Sequence, residues 1–174
     1  WFILLKRALF IDAIIAQHSA IMDRYDPDKR VGLIVDEWGT WHDVEPGTNP
    51  GFLYQQNTMR DAMIAGATLN IFNNHCERVK MANIAQTVNV LQALVFTKDD
   101  KMVLTPTYHV YDLYQVHHDA TMLPLEISDA RYVYENKYVE ALNASASIDD
   151  NGSVHISIVN IDLHKAADIE IELR

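Results

Sequence analysis

The apolar residues of this chain recur first at a helical period and later in short alternating runs. From residue 2 to about 25, Leu5, Leu9, Ile11, Ile14, Ile15, His18, Ile21 and Met22 return near every third or fourth position, with Lys6, Arg7, Asp12 and Arg24 between them. That pattern predicts one amphipathic helix. Asp26-Pro27-Asp28 stops it, because proline cannot continue the hydrogen-bond ladder and disfavours helix at the residue before it. Val31 to Val35 is then continuously apolar and runs into Asp36-Glu37-Trp38-Gly39-Thr40-Trp41. A short run of this kind predicts a strand buried on both faces, as in a parallel sheet covered by helices. Thr40 to Gly51 is polar and rich in Pro, Gly and Asn; at about 12 residues it exceeds the usual connection after a strand, which suggests a functional loop.

A second helix is expected over about 52 to 75, with Met59, Ala62, Met63, Gly66, Ala67 and Leu69 on its apolar side and Asn73-Asn74-His75-Cys76 ending it. Val79 to Ala85 reads as a second buried strand that terminates at Gln86, while Val88 to Phe96 is apolar without a decisive period. Thr105-Pro106 is a helix start, threonine as the cap and proline at the first helical position, and that helix should reach about Val116. From about 120 the texture changes. Thr121–Ile127, Val139–Ile148, Val154–Asn160 and Ala167–Leu173 are short and often alternating, and Asp149-Asp150-Asn151-Gly152 is a hairpin signal.

The chain is therefore expected to be α/β followed by all-β, with one unit over 1–118 and an antiparallel sandwich, or part of one, over 119–174. The strands and helices of the first unit amount to about a quarter of an eightfold βα barrel, which typically needs about 250 residues. They are expected to be the C-terminal part of such a barrel in a larger enzyme. The start at Trp1-Phe2-Ile3, within a helical pattern and without Met, agrees with further chain before it.

Composition narrows the classes. A net charge of -10 leaves no basic surface to neutralise phosphates, so no nucleic-acid partner is expected. One cysteine, Cys76, excludes an internal disulfide framework, and no apolar run approaches the roughly 18 residues that span a membrane. Chemistry is expected where strands end. Alternation along a strand would point Asp36 and Glu37 to opposite faces, so that only one enters a barrel mouth, with Trp38 and Trp41 as an aromatic wall. Glu37 is the candidate; a solvated turn or a helix cap is the alternative.

Glycoside hydrolysis usually needs a second carboxyl group, about 5 Å away in retaining enzymes. Asp43, Glu45 and Glu77 are not convincing and read as surface groups. Gln86, with Asn83 and Asn89 near it, offers amides that either hydrogen-bond sugar hydroxyls or cap a loop. His117-His118 and His75-Cys76 lack metal-ligand spacing, and neither a phosphate loop nor a nucleophile elbow is present, so no metal and no cofactor are expected.

Three blocks carry a resemblance. Asp36-Glu37-Trp38-Gly39-Thr40-Trp41 with Glu45 to Gln56, Arg78 to Asn89, and Leu104 to Val110 are similar to the α-L-arabinofuranosidases of glycoside hydrolase family fifty-one, as is Val154 to Asp162. The resemblance implies a retaining enzyme built as a (β/α)₈ TIM barrel with a C-terminal β-sandwich, acting on terminal arabinofuranose of arabinan or arabinoxylan. It implies that Glu37 is the catalytic nucleophile, that Gln86 contacts the bound furanose, and that Trp41 lines the pocket. The family's acid/base, a Glu in an Asn-Glu pair on an earlier strand, has no counterpart in this chain. An arabinose-containing oligosaccharide, the remainder of the barrel and further copies of the same chain are the implied partners, and the cytoplasm the implied location. Endoglucanase or xylosidase specificity within the family, or a non-catalytic sugar-binding or structural piece, are the alternatives.

Overall fold

The computed structural model describes residues 1–128 and 131–173. The expected N-terminal helix is two segments, α1 (Phe2–Leu9) and α2 (Ile11–Tyr25), joined at Phe10. Phe10 keeps helical angles (φ -65, ψ -17), but its N–H turns to the Arg7 carbonyl at 3.2 Å, tightening the joint. After the Pro27 turn come β1 (Leu33–Trp38), α3 (Met59–Asn74) and β2 (Val79–Ile84). The strands β1 and β2 pair in parallel, with α3 as the connection between them.

Leu33 and Val35 of β1 pack with Ile15, Ile71, Phe72 and Val79 on the helical side. The opposite face is bare, with Ile34 at 45% and Met81 at 53% exposure. The expectation of a strand buried on both faces is thus met on one face only, because among the described residues helices cover a single side.

The helix α3 starts later than its apolar pattern suggests. Residues 50–52 make a short 3₁₀ turn, and the helix begins at a reciprocal cap in which Thr58 and Asp61 each accept from the other's end of the first turn. Ten of its residues are buried, because α2, β1 and β2 lie on one side of it and other elements on the opposite side. The open segment at 88–96 is a loop leading into a hairpin of β3 (Val95–Lys98) and β4 (Lys101–Leu104). The helix α4 (Pro106–Tyr114) starts as the sequence predicts, with the Thr105 hydroxyl accepting from Tyr108 N–H.

Beyond α4, β5 (Thr121–Leu123), β8 (Leu142–Ile148) and β9 (Val154–Asn160) form an antiparallel sheet in the order β5-β8-β9, and β6 (Arg131–Tyr134) pairs with β7 (Lys137–Glu140). The Asp149–Gly152 hairpin forms as expected: the Asp149 carboxylate accepts the Asn151 and Ser153 N–H groups at 2.9 Å each. The expected strand at Ala167–Leu173 does not form. Ile169, Ile171 and Leu173 are exposed, and no strand pairs with this segment among the described residues. Alternation alone leaves backbone groups unpaired unless a neighbour supplies a ladder.

The sheet region and the N-terminal helices share a core of Phe2, Leu5, Ala67, Tyr132, Val139, Val159 and Ile161. Where α3 meets β8 the contact is polar instead. Asn70 donates to the Asn143 side chain at 2.8 Å and accepts from the Ser145 hydroxyl at 2.7 Å. Asn73 and Asn74 donate to the Ser145 hydroxyl and the Ala144 carbonyl, each at 3.0 Å. The Tyr114 hydroxyl also reaches the Asn70 side-chain oxygen, at 3.0 Å, and burial holds this phenol well above its ordinary pKa. The Asn-Asn pair that ends the helix in sequence is thus also the seam that seats it on the sheet.

Candidate active site

The parallel pair ends irregularly. Val35 pairs with Ala82 and Trp38 with Ile84, so β1 carries one more residue than β2 over this step. Such a bulge re-aims side chains at a strand end. Val35 and Trp38 both pack on the helical side, and Trp38 sits against Phe72 (ring centroids 5.3 Å) and Tyr111 (6.4 Å). Asp36 and Glu37 between them are both exposed. One expectation is corrected here: Trp38 packs into the core and does not form an aromatic wall.

Among the described residues the Glu37 carboxylate has no hydrogen-bond or ion-pair partner. Gln86 lies at the same edge. Ala85 N–H donates to the Trp38 carbonyl at 2.8 Å, which continues the β1–β2 pairing to the residue before Gln86. The Ala85–Gln86 peptide is cis, and the Gln86 side chain is exposed with its amide unpaired among the described residues. Trp41, on the loop after β1, is 65% exposed. Asn83 is also exposed. Asn89 takes the loop-holding role instead, donating to the Thr97 hydroxyl at 2.9 Å and accepting from Thr97 N–H at 2.8 Å. The chain ends of β1 and β2 therefore bring Glu37 and Gln86 to one edge, with Trp41 on the adjoining loop.

A buried polar cluster beneath this edge fixes the loop. Thr40 N–H donates to the Gln92 side chain at 2.8 Å, and the Thr40 hydroxyl donates to Asp61 at 2.8 Å. The Gln55 amide donates to the Thr40 carbonyl at 3.0 Å and accepts from His42 N–H at 2.8 Å. The Gln92 amide donates to the Asp61 carbonyl at 2.8 Å and the Thr107 hydroxyl at 3.2 Å, while its backbone N–H donates to the Ala85 carbonyl. Gln55, Asp61, Gln92 and Thr107 are at most 1% exposed. One connected set thus grips the chain after Glu37, the chain before Gln86 and the start of α3.

Burial by itself would raise the Asp61 pKa, but donors from Thr58, Thr40 and Arg60 outweigh it and hold the carboxyl below its ordinary value. Sequence reasoning missed this cluster; its one legible sign was the Thr58-x-x-Asp61 spacing of a capping box.

Among the described residues no other carboxylate is bonded to Glu37. Glu45 accepts from Gln56 N–H at 3.1 Å, Glu77 is paired with Lys29, and Asp43 is exposed. Beside Gln86 a groove of about 900 Å³ runs between the 48–54 loop and the β3–β4 hairpin.

Comparison with known proteins follows the same lines. The profile of the "Alpha-L-arabinofuranosidase C-terminal domain" family matches residues 36–174. The "Intracellular exo-alpha-L-arabinofuranosidase" of Bacteroides ovatus is 49% identical over 168 residues, covering 96% of this chain and 33% of that protein. "Alpha-L-arabinofuranosidase C" of Emericella nidulans is 29% identical over 177 residues, again covering 97% of this chain and 34% of that protein. Among solved structures, the GH51 arabinofuranosidase of Xanthomonas axonopodis pv. citri superposes with a TM-score of 0.88 at 55% identity, over 91% of this chain and 32% of that one. The chain belongs to the α-L-arabinofuranosidases of glycoside hydrolase family 51, within their C-terminal region. It spans about a third of the length of the curated relatives it matches.

Proposed function

We propose that this chain carries the nucleophile of a retaining α-L-arabinofuranosidase and that the nucleophile is Glu37. The observation that supports this best is an unpartnered carboxylate at the C-terminal end of a parallel strand, where barrel enzymes place their chemistry, with the free Gln86 amide at the same edge. β1 and β2 are then adjacent strands of a TIM barrel whose other strands lie outside this chain. The bare face around Ile34 and Met81 agrees with that, since parallel sheets are covered on both sides.

In this reading the Glu37 carboxylate attacks the anomeric carbon while the glycosidic oxygen takes a proton from an acid carried elsewhere in the enzyme. Water then attacks the arabinosyl-enzyme ester, the acid's conjugate base accepting its proton, so that arabinose leaves with its original configuration. Gln86 donates to a furanose hydroxyl, Trp41 packs beside the ring, and the Thr40–Asp61–Gln92 cluster keeps both strand ends in place. Terminal arabinofuranose of arabinan- or arabinoxylan-type oligosaccharides is the proposed substrate. A cytoplasmic location is supported by the similarity to the intracellular enzyme of Bacteroides ovatus; assembly into a homo-oligomer is part of the same proposal and rests on the family resemblance.

The test is hydrolysis of 4-nitrophenyl α-L-arabinofuranoside by the intact polypeptide, with the first-formed sugar followed by proton NMR. The α anomer should appear first, and Glu37→Gln should lower kcat about a thousandfold or more. A first-formed β anomer, or a Glu37→Gln variant with wild-type turnover, would refute the proposal.

A further inference from the structure

In a regular parallel pair, a residue whose N–H donates to a carbonyl of the neighbouring strand accepts, at its own carbonyl, from the N–H two residues further along that strand. Ala85 begins this pattern, its N–H donating to the Trp38 carbonyl at 2.8 Å. The next rung should join the Thr40 N–H to the Ala85 carbonyl. Instead, the Ala85 carbonyl accepts from the Gln92 backbone N–H at 2.9 Å, and the Thr40 N–H donates to the Gln92 side-chain oxygen at 2.8 Å. Gln92 thus fills the rung with both its backbone and its side chain, between the chain leaving Glu37 and the chain reaching Gln86. Gly39, at φ +143, makes room for it: a methyl added there would lie 3.3 Å from the Gln92 side-chain oxygen and 3.4 Å from the Ala85 carbonyl.

From this we infer that Gln92 is a positioning residue, a wedge that holds the ends of β1 and β2 apart and so sets the separation of Glu37 from Gln86, an inference that rests on the roles proposed for those two residues above. A wedge works only if it cannot yield, and this one is held on every side. Its amide donates to the Asp61 carbonyl at 2.8 Å and the Thr107 hydroxyl at 3.2 Å, which ties its far end to α3 and α4. The residues flanking it are fixed as well: Leu91 N–H donates to the Leu53 carbonyl at 2.9 Å, and the Thr105 hydroxyl donates to the Ala93 carbonyl at 2.8 Å. Gln92 and Ala93 are both at 0% exposure.

The residue type follows from the partners. One planar group must accept from Thr40 and donate to Asp61 and Thr107, which a primary amide does and a carboxylate or an alkyl chain does not. Without the amide, the buried Thr40 N–H has one acceptor near it, the second lone pair of the Ala85 carbonyl, and reaching it draws the strand ends together. A shift of about 1 Å between reacting groups costs about a hundredfold in rate.

The experiment is a double-mutant cycle in the intact enzyme. Gln92→Met keeps the length of the side chain and removes the amide; it is combined with Gln86→Ala, and kcat/KM for 4-nitrophenyl α-L-arabinofuranoside is measured well below the Tm of every variant. Gln92→Met should lower kcat/KM about thirtyfold when Gln86 is present and only about fivefold or less when Gln86 is already alanine, because the contact to be kept in register is then gone. Equal losses in the two backgrounds, or no loss, overturn the wedge, since a residue that only stabilises the fold acts independently of Gln86. If Gln92→Met does not melt cooperatively, Gln92→Glu, which keeps the length and the acceptor for Thr40, is taken through the same cycle against the same outcomes. A wild-type enzyme that cleaves no arabinoside overturns the roles of Glu37 and Gln86 themselves; an active wild type with an additive cycle overturns the wedge alone.

Discussion

Asp61 is the residue on which the geometry of the site depends most. It is wholly buried, yet it accepts from the Thr58 N–H at 2.8 Å and the Thr40 hydroxyl at 2.8 Å, with Arg60 at 3.2 Å. A buried carboxylate is tolerated only when so supplied. Asp61→Asn keeps the shape but not the charge, and should destabilise the protein by about 2 kcal/mol in a denaturant titration, the scale of hydrogen bonds to a charged group. The pH dependence follows from the sign of the shift. A carboxyl whose folded pKa is depressed stabilises the fold above its ordinary value of 3.8 and loses that contribution as the pH falls through the folded value. The gap between wild type and Asp61→Asn should therefore close as the pH falls below about 3.8; a gap that persists in acid would show that it does not come from the charge of Asp61. At this scale the sequence was only partly legible. Glu37 and Gln86 stand out because polar residues end apolar strands, whereas Gln55 and Gln92 look like ordinary loop amides until the fold buries them at 1% and 0% exposure.

Among the elements, α3 carries the largest burden, since it meets the strand pair on one side and β8 and β9 on the other. Gly66 marks the closest approach: a methyl group added there would lie 2.9 Å from a Val159 methyl. Gly66→Ala gains about 1 kcal/mol of helix propensity but overpacks a β-branched neighbour, a cost of about 1–3 kcal/mol. A net loss near 1 kcal/mol is expected by thermal melting, and a gain would mean that β9 can shift away. The polar seam makes a larger demand. Asn70→Leu removes the acceptor of both Ser145 and Tyr114 and the donor to Asn143. Leaving such groups buried without partners should cost about 2–4 kcal/mol in a denaturant titration. A cost below about 1 kcal/mol would show that water enters the seam. Helix and strand rhythms revealed most elements but not this seam, because three Asn residues in a helix read as a frayed end until a sheet edge is placed against them. The bulge at Asp36–Glu37 was likewise hidden, since period two says nothing of an inserted residue.

At the level of the whole molecule, protection is uneven. β8 and β9 pair along their full lengths, from Leu142 with Asn160 to Ile148 with Val154, while Ala167–Leu173 has no ladder among the described residues. Amide hydrogen exchange should show the β8–β9 amides among the slowest and those of Ile169 to Leu173 exchanging within seconds. Slow exchange in that segment would reveal a partner strand outside the described residues. The bare face at Ile34 and Met81 is legible in the sequence only as an apolar run. The matched relatives are about three times as long as this chain, and in the proposed reading the rest of a barrel covers this face.

The central claim is the role of Glu37, and the most direct test is azide rescue. The Glu37→Ala variant of the intact enzyme is given an activated aryl α-L-arabinofuranoside with sodium azide, and the product is identified by NMR. If Glu37 is the nucleophile, azide enters from the face that the carboxylate has vacated and the product is β-L-arabinofuranosyl azide. An α-configured azide would make Glu37 the acid/base, and no rescue in a folded variant that retains wild-type turnover would remove it from the chemistry.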